Sequence, residues 1–308
     1  IISGHFVHRG LPALLDKYLR CEMALSHGAA LVLELPVAYA TASAETFAMG
    51  AVSLLDKLGI VDTLCFGSEC GELEKLSYLA GHLKEESPLF KEAIQKELKE
   101  GHSYPAARER AIASCKQIPG ALSSLEEMTY SEIQTILNQP NNILALEYLK
   151  SLQRRKSPIS PITIARESAG YHDTSIDVQF ASASAIRTLY KEGTLEKLSS
   201  TVPDKVFAIL EKEYNKRFPI YPNDFSICLY YRLLMEKERN IALHLYQDVS
   251  KEIGQRIYNK LPHYTSFEAY PLSIKTRQYT LTRIYRGLLH ILLNIRAKDY
   301  QIYSANDF

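Results

Sequence analysis

Ala30-Leu31-Val32-Leu33-Glu34-Leu35-Pro36 decides the fold: a short apolar run, ended by a glutamate and a proline, is what a buried parallel strand requires. Upstream, Leu15, Leu19 and Met23 recur at four-residue spacing, which predicts a helix over 13–26 stopped by Gly28. Before it, Ile1-Ile2 reads as the tail of another strand. Downstream, Ser43 can cap a helix running through Leu58, with Gly59 after it, and Thr63-Leu64-Cys65-Phe66 makes a third strand. The order is β-α-β-α-β, which argues for an α/β fold with a Rossmann-like parallel sheet.

From Gly71 to Leu152 helical patterns dominate, broken near Gly101 to Pro105 and again at Gln139-Pro140. A last strand candidate, Ile162-Thr163-Ile164-Ala165, leads into a polar loop from Arg166 to Gln179 and a helix beginning near Ser184. After Thr201-Val202-Pro203 strand candidates stop, and Tyr, Leu, Lys and Arg recur at helical spacing. We therefore expect an α/β domain over 1–200 followed by an all-helical domain over 201–308.

Composition narrows the function classes. Apolar residues make up 46% of the 308 and charged residues 23%, which excludes a disordered or collagen-like chain. A chain this long buries a real core without disulfides or a structural metal. Lysine plus arginine (36) nearly cancels aspartate plus glutamate (35), so any basic patch must be local. The five cysteines form no Cys-x-x-Cys pair, which reads as a reduced, intracellular protein with a cytoplasmic location. The longest apolar stretch, Ala29 to Ala40, falls short of the roughly 20 residues of a membrane span. The chain opens without methionine, so we expect a piece of something longer.

Ligands of open parallel sheets bind outside the carboxyl ends of the strands. Those ends are Ser3-Gly4, Glu34-Leu35-Pro36, Gly67-Ser68-Glu69 and Arg166-Glu167. Gly4 and Gly67 either let a ligand approach the backbone or merely permit tight turns. In Ala181-Ser182-Ala183-Ser184-Ala185-Ile186-Arg187, the helix start can hold an anion on free amides with Arg187 adding a bidentate contact, or a serine can simply cap. Asp16 and Arg20, four apart on a helix, suggest an ion pair. His172-Asp173 alone is too little for a dedicated metal site, and none is predicted.

A local basic face lies near the end. From Ala269 to Lys298 there is no acidic residue, while Lys275, Arg277, Arg283, Arg286, Arg296 and Lys298 are basic. Leu281, Ile284, Leu288, Ile291 and Ile295 share one helical stripe, with Tyr279, Arg283, Arg286 and His290 roughly opposite. That predicts an apolar side for the core and a basic, aromatic side for RNA phosphates.

Several blocks together resemble the tRNA(Met) cytidine acetate ligase family of nucleotidyltransferases with a His-x-Gly-His signature. They are Ser3-Gly4-His5-Phe6-Val7-His8-Arg9-Gly10, Asp16-Lys17 through Leu25, Glu34-Leu35-Pro36, Phe66-Gly67-Ser68-Glu69, Ser103-Tyr104-Pro105, Pro140-Asn141-Asn142-Ile143-Leu144, Tyr171-His172-Asp173 and Ser182 to Arg187. They keep the family's order and cover most of the chain. The resemblance implies an ATP-dependent ligase that forms acetyl-adenylate and passes the acetyl group to N4 of the wobble cytidine of elongator tRNA(Met). It makes Gly67, Asn141, Arg166 and Glu167 contacts to ATP, and Ser182, Ser184 and Arg187 the phosphate-binding helix start. Ser3, Gly4 and Arg9 would lie on the loop beside the nucleotide, with Mg2+ arriving on ATP. Lys275, Arg277, Arg283, Arg286 and His290 would then meet tRNA.

The resemblance also implies that the family's first strand and His-x-Gly-His lie upstream of Ile1, which leaves the catalytic residues unassigned. A molecule that began at Ile1 is expected to have little ligase activity. Two alternatives follow: a small-molecule adenylyltransferase of the pantetheine-phosphate or nicotinamide-mononucleotide type, and a non-catalytic RNA-binding fragment. The basic helix counts against the first, because a small acceptor needs no such surface.

Overall fold

The computed structural model describes residues 1–84, 88–102, 104–116, 128–166 and 183–299. Strand β1 (Ile2–Ser3) leads into a hairpin of β2 (Phe6–Val7) and β3 (Leu11–Pro12), paired antiparallel around Gly10 at φ 76°. Helix α1 (Lys17–Leu25) starts where the Asp16 carboxylate accepts the Leu19 amide at 2.8 Å. The spacing of Leu15, Leu19 and Met23 thus overestimates the helix. Asp16 sets its start, and Leu15 lies ahead of it, buried in the cluster that Leu19 and Met23 also pack against.

Strand β4 (Glu34–Leu35) lies parallel to β1, with Ile2 opposite Glu34 and Ser3 opposite Leu35. The expected buried strand over Ala30–Leu33 is corrected: Leu31 is 59% exposed, and the ladder runs only as far as its two-residue partner β1. After α2 (Val37–Ala40), α3 (Ala44–Leu58) is capped by Ser43 and ended by Gly59 at φ 67°, as predicted. Strand β5 (Thr63–Ser68) precedes α4 (Leu73–Lys84), α5 (Pro88–Lys99), α6 (Tyr104–Lys116) and α7 (Tyr130–Leu137). Helix α8 (Pro140–Arg155) begins with proline at its first turn, where the missing amide costs nothing. Strand β6 (Ser160–Ala165) then pairs parallel with the whole of β5.

The parallel strands form two separate pairs, β1–β4 and β5–β6, instead of one continuous ladder. Side chains alternate along β5: Phe66 and Ser68 are buried, whereas Cys65 is exposed. The buried side packs against α4 and α8, and Phe66 joins Leu76, Leu79, Leu83, Ile133 and Leu146 in the largest core cluster.

Helices follow: α9 (Ala183–Glu192), α10 (Leu195–Ser199), α11 (Asp204–Glu213), α12 (Ser226–Glu238), α13 (Lys251–Lys260), α14 (Tyr270–Ile274) and α15 (Leu281–Leu293). Leu229, Leu233, Ile253, Ile257, Ile284 and Leu288 make the core shared by α12, α13 and α15. Another cluster joins Leu15 to Leu189, Tyr190, Leu198, Leu210 and Phe218, so apolar packing runs across residue 200. Burying Leu15 there is worth roughly 2 kcal/mol. Among the described residues no helix is long and apolar enough to cross a membrane.

Candidate nucleotide and RNA site

The turn after β5 and the start of α8 hold each other. The Glu69 carboxylate accepts the backbone amides of Asn141 (3.1 Å) and Asn142 (2.7 Å) and the Asn141 side-chain amide (2.7 Å). It thereby satisfies donors that a helix start leaves open and neutralises the positive end of α8. In return the Asn142 side-chain oxygen accepts the amides of Glu69 (2.9 Å) and Cys70 (3.2 Å). Ser68 ties this turn to β6: its hydroxyl pairs with Thr163 at 2.7 Å, and its carbonyl accepts the Arg166 amide at 3.0 Å. Gly71, at φ 66°, is needed here because a Cβ would meet that of Ala165 at 2.7 Å.

This lattice gathers Gly67, Asn141 and Arg166 at one strand end. A Cβ on Gly67 would be in ordinary contact with Arg166 Cγ at 3.4 Å, Arg166 Cδ at 3.8 Å and the Ile164 carbonyl oxygen at 3.9 Å, and the Arg166 side chain is exposed. Sequence reasoning had Asn141 but missed the bracing by Glu69 and Asn142. Its only local signal is a glutamate after the strand and a polar pair after Pro140. Asn142→Ala should cost about 2 kcal/mol, since two amides lose their acceptor. A urea midpoint that does not move in that variant would mean the brace is not what holds the turn.

At the end of β1 the space beside Gly4 is taken by the Glu34 carboxylate, which Lys17 holds at 2.5 Å. The expected Asp16–Arg20 ion pair gives way to other bonds. Asp16 caps α1, while Arg20 donates to the carbonyls of Gly4 and Leu15. Glu34 and Glu69, the carboxylates at these strand ends, are therefore already engaged. Among the described residues Glu97, Glu100 and His102 place ligand atoms within 4.8 Å of one another, with Arg110 Nε 3.9 Å from the Glu97 carboxylate.

Arg9, Ser184 and Arg187 come together in a second place. They line a cavity of about 270 Å3 between the β2–β3 hairpin, α9 and the segment around Tyr221. Ser3 closes β1 ahead of that hairpin. Glu167 and Ser182 lie outside the described residues, as do Ser103 and His172-Asp173.

The polar side of α15 is not, over its whole length, the open basic side for RNA phosphates that periodicity predicted. His290 is fully buried, between the Thr41 hydroxyl at 3.1 Å and the Gln247 carbonyl at 3.0 Å. Burial holds its ring below the ordinary imidazole value and so uncharged at neutral pH. A buried neutral imidazole cannot meet an RNA phosphate, so His290 is withdrawn from the basic surface. Arg286 is ion-paired with Asp248 at 2.7 Å, with only 12% of its side chain exposed. Arg283 lies half-buried over the Tyr279 ring at 5.2 Å and donates to the Asp248 carbonyl. Of the basic residues in this stretch, Lys275, Arg277 and Lys298 stand exposed. The stretch carries no acid of its own, but the fold brings Asp248 to it from outside.

Parallel strands whose ends meet a helix start and an exposed arginine suit a protein that binds and cleaves a nucleotide, and the comparisons give the same class. The family model described as HIGH Nucleotidyl Transferase matches residues 1–307. A tRNA(Met) cytidine acetate ligase of Alkaliphilus metalliredigens is 40% identical over 298 residues, covering 96% of this chain and 69% of that protein. One from Thermoanaerobacter sp. (strain X514) is 40% identical over 308 residues, covering 100% and 72%. The Thermotoga maritima TmcAL structure bound with alpha-thio ATP superposes with a TM-score of 0.86 at 30% identity, covering 98% of this chain and 69% of that one. The apo form of that protein gives 0.89 at 31% identity. The chain belongs to the tRNA(Met) cytidine acetate ligase family, which is a family of enzymes.

Proposed function

We propose that the chain serves an ATP-dependent acetylation of elongator tRNA(Met). A carboxylate oxygen of acetate attacks the α-phosphorus of ATP, the bond to the β-phosphate breaks, and pyrophosphate leaves. The wobble cytidine N4 then attacks the acetyl carbon of the adenylate, loses a proton and expels AMP. Catalysis of the first step is mostly positioning and neutralisation of the leaving pyrophosphate. The observation that carries this reading is the braced strand end, where Gly67 has no side chain beside the exposed Arg166 and Glu69 fixes the Asn141 side-chain amide. Arg9, Ser184 and Arg187 supply a second basic group for phosphate oxygens, and Glu167 and Ser182 join on sequence grounds alone. A dedicated protein cage for magnesium is not needed, because the metal travels with the triphosphate.

In this reading residues 1–200 handle the nucleotide and 201–308 the tRNA, in the cytoplasm where that RNA is found. Lys275 and Arg277 are its exposed phosphate contacts. In a protein that carries the His-x-Gly-His segment as well, pyrophosphate exchange into ATP should be stimulated by acetate and abolished by Arg166→Ala. Exchange that requires a phosphorylated metabolite instead would point to a small-molecule adenylyltransferase. Lys275→Gln with Arg277→Gln should weaken tRNA binding and flatten its salt slope by about 2, one for each lost contact. An unaltered slope would remove these two residues from the interface.

A further inference from the structure

A cavity of about 760 Å3 lies along the face of α8 that carries Glu147 and Lys150, and it opens toward the capped starts of α3 and α15. None of the strand-end residues described above lines it. Among the described residues its wall holds seven lysines and arginines against three carboxylates, a local excess of four positive charges in a chain that is nearly neutral overall. Each carboxylate is already engaged: Glu45 with Arg154 at 3.0 Å, Asp248 with Arg286 at 2.7 Å, and Glu147 with Lys150 at 2.8 Å and Arg108 at 3.6 Å. The excess is therefore cationic and unanswered by acids of the wall.

Arg108 makes the case specific. It is only 7% exposed and lines the cavity, and its Nε and one terminal nitrogen have no hydrogen-bond partner among the described residues. A buried guanidinium with open donors is costly unless an acceptor completes it, and its planar fork matches the oxygens of a phosphate. Nearby, His8 Nδ1 is also buried without a partner. Two helix starts, capped by Ser43 and Thr280, add their positive ends to the same space.

We propose that this cavity is an anion site, separate from the strand-end site, that takes a phosphate group on Arg108, carried either by an RNA backbone or by a free phosphorylated small molecule. The RNA source rests on the function proposed above; the anion site does not. The cavity as built is too cationic to be explained as core, and too rich in buried donors to be left to an apolar ligand.

The test measures binding of inorganic phosphate, pyrophosphate and a tRNA(Met) transcript to the full chain by equilibrium dialysis and filter retention. Arg108→Gln should weaken binding about tenfold, the worth of a charge-assisted pair. Glu147→Gln should tighten it severalfold by removing a competing carboxylate, a gain that a purely structural role for Arg108 does not produce. Lys91→Gln, an exposed change on α5 with no demand on folding, should weaken binding by about threefold. If tRNA follows this order, RNA is the source; if only phosphate or pyrophosphate follows it, a free ligand is. Arg166→Ala should leave cavity binding intact, which separates failure of the nucleotide reading from failure of this one. Unchanged binding of all three probes in Lys91→Gln and folded Glu147→Gln overturns the proposal, whatever the folding of Arg108→Gln.

Discussion

Gly10→Ala is expected to lower stability by about 3–4 kcal/mol, the sum of a left-handed backbone forced on a side chain and a clash with a rigid neighbour. Gly10 sits at φ 76°, and a Cβ there would meet the α15 backbone, 2.6 Å from the Tyr285 carbonyl carbon and 2.7 Å from Arg286 Cα. No rotamer relieves such a contact, because both sides are main chain. For a chain of this length the melting temperature should fall by roughly 5 °C. Gly59→Ala is the control: its φ is 67°, but nothing lies within 4 Å of the added carbon, so only the conformational cost of about 1 kcal/mol remains. If thermal unfolding gives the two variants equal losses, the hairpin does not press on α15 as described.

Glu147→Ala should cost about 3–5 kcal/mol, because it strands two buried cations. Lys150 is 4% exposed and Arg108 7% exposed, and Glu147 is the carboxylate within 4 Å of both. Glu45→Ala, which breaks a pair with Arg154 whose partners are about half exposed, should cost under about 1 kcal/mol. Urea midpoints measured side by side test the contrast, and comparable losses would refute the burial argument. Added phosphate should recover part of the Glu147→Ala loss, since a ligand that binds only the folded state stabilises it.

Local signals were the ones that could be read. Ser43 and Gly59 mark the ends of α3 to the residue, because a cap and a left-handed glycine depend on their own neighbours alone. β5 and β6 were found from their apolar runs within two residues at each end. Gly67 and Arg166 could be nominated because parallel strands place their loops at one edge, whereas Asn141 was implied only by the family resemblance. What failed depends on distant chain. The hydroxyl that buries His290 belongs to Thr41, 249 residues away, and the acid that takes Arg286 is 38 residues upstream. Periodicity showed which side of α15 turns from the apolar stripe, but not that a second layer covers that side. The Ala30–Leu33 run was misjudged for a similar reason: hydropathy cannot tell how many residues a partner strand offers. The cavity around Arg108 collects its wall from both ends of the chain, and no window of sequence contains it.

The Thr41–His290 bond has a consequence for how the molecule comes apart. It joins the segment after α2 to the last long helix, and the Leu15 cluster makes a similar bond between early and late halves with apolar contact. Neither half can detach without exposing a desolvated imidazole or a leucine core, so melting should be cooperative throughout. Proteolysis at residue 200 would then yield two unstable pieces, and heat absorption would show one peak for the intact chain.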